Sequence, residues 1–145
     1  MMPRTAVWIE ALALASGLAL ATGPSLAQQA DLCGRTRESS EALLQRLTKT
    51  EKLGESFRDK AYVTINDTAN GIIWTFTVAG HPAHPSVVCR EPVEDGGKLR
   101  IDMGVQCEAP EEQCEQLVRG FETLNQKMLK DAEKKAKWAI AGSDP

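Results

Sequence analysis

The chain has 145 residues, enough for one domain around one core and too few for several. Its 17 Lys and Arg stand against 20 Asp and Glu, a net charge of −3, which argues against the basic face a nucleic-acid binder needs.

The N-terminus is unlike the rest. Arg4 gives a short positive start, and the stretch 6–21 is rich in Ala, Leu and Val, with Glu10 as its one charge. Gly23-Pro24 then breaks the run, and Ser25 and Ala27 supply small residues at positions −3 and −1 of a cut. This is the layout of a secretory signal peptide over residues 1–27. The run is too short, and too interrupted by Glu10, for a membrane span. Cys33 follows Leu32, six residues past the cut, so no lipid anchor is predicted. The expectation is a secreted chain, most simply periplasmic. It has one small α+β domain over residues 28–145 and no transmembrane anchor after cleavage.

From Ser39 the pattern turns helical. Leu43, Leu44 and Leu47 form an apolar stripe that Leu53 and Phe57 extend, with Asp31 as the cap of an earlier start or Ser39 or Ser40 of a later one, and Gly54 as the end or a break. Two runs of period two follow. Val63 and Ile65 alternate with Tyr62 and Thr64, and Ile72, Trp74, Phe76 and Val78 alternate with Ile73, Thr75 and Thr77. β-branched and aromatic residues in alternation read as strands, and the intervening Asn70-Gly71 suits a hairpin loop. A short third strand over 86–91 is stopped by Pro92, and the turn at Asp95-Gly96-Gly97 leads into a fourth over 98–107. Pro110 opens a long helix. Glu111 and Glu112 favour its N-terminal end, and Leu117, Phe121, Leu124 and Met128 recur on one face. Gly120 within that helix suggests a close approach to the sheet, and Trp138 lies beyond the packed stripe.

The predicted fold is a two-layer α+β domain in the order α-β-β-β-β-α. A four-stranded antiparallel meander is covered on one face by both helices and stabilised by disulfides. The other face, with Tyr62, Thr64, Thr75, Thr77, Arg100 and Asp102, is left to solvent or a partner.

Four cysteines in an exported chain point to two disulfides. A hairpin turning near Gly96 sets Cys89 opposite about Asp102, too far from Cys107 for a bond. The expected pairs are therefore Cys107–Cys114, closing the loop CEAPEEQC, and Cys33–Cys89, tying the N-terminal helix to the sheet.

The stretch GHPAHPSVVC, residues 80–89, holds both histidines. His81 and His84 are the candidate metal ligands, but each precedes a proline, which disfavours helix and leaves the imidazoles free to diverge. Two local ligands also fall short of the three or four a metal site needs. Ser86, His84 and Asp102 are the one candidate hydrolase constellation, without a GxSxG elbow. No cofactor motif is present. The leading expectation is a non-catalytic domain that binds an unknown protein or small-molecule ligand in the envelope. Glu108, Glu111 and Glu112 of the closed loop are the candidate contact. The alternatives are a metal-binding protein using His81 and His84, and a small envelope hydrolase.

Overall fold

A computed structural model describes residues 31–142; the predicted signal peptide lies outside the described residues. The first element is α1, Ser40–Gln45, which continues into a π-helical turn over Arg46–Thr50. Ser39 caps it, its hydroxyl accepting from the Ala42 N–H at 3.2 Å, which satisfies one of the free amides at the helix start. Five antiparallel strands follow in sequence order. They are β1 Glu55–Arg58, β2 Tyr62–Asp67, β3 Ile72–Thr77, β4 Ser86–Asp95 and β5 Lys98–Cys107. The chain ends in α2, Glu111–Ala141.

The α+β class with disulfides holds, and four details differ from the sequence reading. First, the sheet has five strands: Glu55–Arg58 pairs with β2 as an exposed edge strand. Phe57 therefore leaves the helical stripe and stands 53% exposed on that edge. Second, Pro92 does not stop β4. The strand runs on to Asp95, because β3 pairs with it only as far as Arg90 and Pro92 no longer has a neighbour on that side. Third, Cys89 lies opposite Gly104, not Asp102. The hairpin turns through two residues only, Gly96 and Gly97, both at positive φ, where glycine carries no steric penalty.

Fourth, the helices lie on opposite faces of the sheet. Leu43 and Leu47 of α1 pack with Leu32 against Val63, Ile65, Trp74, Phe76, Val87 and Cys89. Leu117 and Phe121 of α2 pack on the reverse face, with Val88, Met103, Val105 and Tyr62. The molecule is thus three layers, helix, sheet and helix. Residues Ser86 to Arg90 of β4 are all buried, as a strand covered on both sides must be.

The disulfides join Cys33 to Cys89 and Cys107 to Cys114. The first draws the N-terminal segment across the α1 face, and the second fastens the start of α2 to the end of β5. A network of charges closes the α1 face. Arg35 makes two bonds to Glu51, at 2.6 and 2.8 Å, reaches buried Asp67 at 3.3 Å, and lies 5.6 Å from the Trp74 ring centre. Beyond Asn125 no residue of α2 is buried, and Trp138 stands 78% exposed. Among the described residues no helix is long and apolar enough to cross a membrane.

Two glycines make opposite demands. A Cβ on Gly104 would lie 2.8 Å from Cys89 Sγ and 3.1 Å from Leu32, inside van der Waals distance of the buried disulfide. Gly120, expected to approach the sheet, has nothing within 4 Å of a built Cβ. Gly104→Ala should therefore lower stability by about 1–3 kcal/mol through overpacking, whereas Gly120→Ala should raise it by up to about 1 kcal/mol through helix propensity. Urea unfolding of the two oxidised variants, compared with wild type, checks both signs.

Candidate functional site

Because α2 covers the β4 and β5 side of its face, the β1–β3 side stays open beside it. A groove of about 500 Å³ runs there. Phe57, Tyr62, Thr64 and Thr75 contribute from the sheet. Leu117, Gly120, Phe121 and Leu124 contribute from α2, and His81, Pro82 and Ala83 from the loop after β3. Tyr62 meets Phe121 edge-on at 5.8 Å and His81 at 4.9 Å between ring centres. Thr64 and Thr75 face each other across the strands, with hydroxyls 3.4 Å apart.

The polar groups of the groove are of two kinds. His81 is committed to its neighbours. Its Nδ1 accepts the Ala83 N–H at 3.0 Å, so the ring carries its proton on Nε2 and donates it to the Tyr62 hydroxyl at 3.0 Å. Burial, and secondarily the nearby His84, hold its pKa below the ordinary histidine value, consistent with that neutral form. Burial also raises the Tyr62 pKa.

Arg90 is different. It is only 7% exposed, and its guanidinium lies 5.4 Å from the Phe121 ring centre. Nη1 donates to the Met128 thioether at 3.4 Å, a weak acceptor, and the buried Nε has no hydrogen-bond partner. Among the described residues no carboxylate pairs with it, and burial pushes its pKa below the ordinary arginine value. It is the only residue with a permanent charge among those lining the groove. Nearby, Asn125 is also buried, donating to the Met103 sulfur at 3.5 Å while its Oδ1 has no partner.

The residues singled out by sequence are not gathered here. His81 lines this groove, while His84 lines a second cleft beside α1, where its Nδ1 donates to the Thr77 carbonyl at 3.0 Å. The His84–Pro85 bond, in the wall of the second cleft, is cis. The two imidazoles thus serve different sides of the loop, and no group of three possible ligands occurs among the described residues. Ser86 is buried and donates its hydroxyl to the Ala83 carbonyl. Asp102 pairs with Arg100 at 2.9 Å and stands five strand residues from Cys107, the partner of Ser86. That is about 16 Å away, so Ser86, His84 and Asp102 do not assemble.

All three acidic loop residues are exposed, but Glu108 reaches across to the start of α1. Its Oε1 accepts from the Ser40 N–H at 2.9 Å, the Ser40 hydroxyl at 3.0 Å and Gln106 Nε2 at 3.1 Å, so it helps to cap α1. Glu111 and Glu112 stay exposed in the first turn of α2.

Sequence reasoning overlooks Arg90 and Phe57. The signal for Arg90 is the unbroken buried run SVVC before it: a charge next in such a strand must itself enter a packed layer. Comparison of the chain with protein-family models, with curated proteins and with solved structures finds no match. The functional reading therefore rests on this geometry.

The Ser40 amide bond, followed by burial in opposition and the Gln106 bond, holds the Glu108 carboxyl below its ordinary 4.5. A lowered folded-state pKa adds stability that is present above about pH 4.5 and is lost as pH falls through the lowered value. Glu108→Ala should cost about 1 kcal/mol at pH 7, the worth of a cap-type hydrogen bond on a solvent-screened group. The deficit against wild type should shrink on acidification below pH 4.5, as followed by urea unfolding across that range.

Proposed function

We propose that this chain is an exported, non-catalytic binding domain whose ligand lies in the groove between the sheet and α2. The leader-like residues 1–27 and the two disulfides support an oxidising compartment, most simply the periplasm. The observation that carries the reading is the groove itself, a preformed concavity with aromatic and aliphatic walls and a few convergent polar groups. That is the usual make-up of a small-molecule site.

Gly120 supports it from a second direction. A glycine inside a helix costs about 1 kcal/mol relative to alanine. Here no neighbouring atom requires the small residue, and the space it leaves belongs to the groove. The groove's hydroxyl and imidazole groups are hydrogen-bonded to one another or to the main chain, an arrangement for shaping a site and not for activating a nucleophile.

The test uses the oxidised chain 28–145 and Nile red, an uncharged dye whose fluorescence rises in apolar surroundings. Wild type should bind it saturably, and Gly120→Leu, which fills the open space, should bind it at least tenfold more weakly without losing thermal stability. Undiminished binding by a folded Gly120→Leu variant would remove the groove from this reading.

A further inference from the structure

We infer that the groove takes an amphiphilic monocarboxylate, its carboxylate paired with the Arg90 guanidinium and its apolar body laid along Phe57, Leu117, Phe121 and Leu124. The inference rests on the groove reading above and specifies the ligand chemistry.

The argument begins with an unbalanced charge. A cation taken out of water carries a large desolvation cost, which proteins ordinarily offset with a paired anion and full hydrogen bonding. Arg90 is more than nine-tenths buried and has neither. Although the chain has 20 acidic residues, none of the described ones makes an ion pair with it. Elsewhere the same fold pairs its partly buried arginines. Arg35 holds Glu51 and Asp67, and Arg46 holds Glu38. A guanidinium left with a thioether, an aromatic face and an orphan N–H is one whose fork remains available to a bidentate oxygen acceptor.

The count of charges sets the valence of the ligand. No second permanent cation lines the groove, and His81 is held neutral because its Nδ1 already accepts the Ala83 N–H. One guanidinium balances one negative charge. A carboxylate satisfies that, while a phosphate monoester would bring a second charge with no partner into a low-dielectric site. The walls set the rest of the ligand. Phe57 and Leu124 are large apolar side chains exposed at the groove margin, and a volume of about 500 Å³ lies within the range of sites for small organic ligands. An acyl chain or a compact hydrophobic acid meets both demands.

The experiment displaces Nile red from the oxidised chain 28–145 with decanoate, decanol or decyl phosphate at pH 7. Decanoate should compete at least tenfold more tightly than decanol and more tightly than decyl phosphate. In Arg90→Gln the advantage over decanol should fall to within twofold while dye binding persists. The wild-type preference is measured whether or not that variant folds. As a second readout, the Arg90 Nε–Hε resonance of wild type should shift on adding decanoate and stay in place with decanol. Equal competition by decanoate and decanol, or a preference that survives in folded Arg90→Gln, overturns the inference and leaves the groove reading standing. Tighter binding of decyl phosphate overturns the choice of carboxylate. Absence of any saturable dye binding overturns the groove reading and this inference with it.

Discussion

The double-sided burial of β4 governs this molecule. Over Ser86 to Arg90 both faces of the strand are covered, so its alternation divides neighbouring residues between two cores. Val87 and Cys89 belong to the layer under α1, while Val88 and Arg90 face the α2 side. Each helix depends on this strand for its seat. The strand's period of two is also what brings a charged residue into an otherwise apolar layer. Had Arg90 stood one residue earlier, it would have entered the other core, beside Trp74.

Covalent and ionic ties hold the two layers to that strand in different ways. Cys33–Cys89 fastens the N-terminal segment to β4 itself, and the small Gly104 on the neighbouring strand gives the sulfurs room. Cys33 and Cys89 are 56 positions apart in the chain, against 7 for the other pair, so in a chain-entropy model this bond restricts the unfolded state more than Cys107–Cys114 does. The shorter bond acts locally: it sets where α2 leaves the sheet. Arg35 adds a third tie, drawing Glu51 after α1 and Asp67 at the end of β2 over the rim of the Trp74 core. Among the described residues the α2 layer has no comparable charge network, and its buried arginine, Arg90, makes no ion pair.

Much of the fold is legible in the sequence, and the parts that are not have physical reasons. β2 and β3 announce themselves through β-branched alternation, α2 through its apolar period, and the β4–β5 turn through Gly96-Gly97. β1 is invisible because ESFR is short and polar; it is a strand only because the free edge of β2 offers it hydrogen bonds. The placement of the helices turns on register. With Cys89 opposite an even-numbered residue of β5, the odd-numbered aliphatic row from Ile101 to Val105 falls on the face away from Cys89. The expected pairing with Asp102 has the same parity. The two-sided sheet was therefore legible in the hairpin, and a core on one face only was the wrong inference from it. The groove is less accessible to such reasoning. A sequence displays the charge of Arg90 and the glycine at 120, but not the lack of an anion beside the first or of a neighbour beside the second.

The groove follows from the same geometry. Five strands spaced about 4.8 Å apart put the outermost strands about 19 Å from each other, while a helix with its side chains is about 10 Å across. One helix therefore covers roughly half of such a sheet. On the α1 face the remainder is closed by the segment around Leu32, pinned there by its disulfide. On the α2 face nothing comparable is present among the described residues, and the Cys107–Cys114 bond commits the helix to the β5 side. The uncovered half of the sheet, from Phe57 to Thr75, must then border the helix as a trough. Its boundary falls at Phe121, the residue that Arg90 stacks upon. The unpaired charge and the open volume thus have one origin: a single helix seated to one side of a sheet too wide for it.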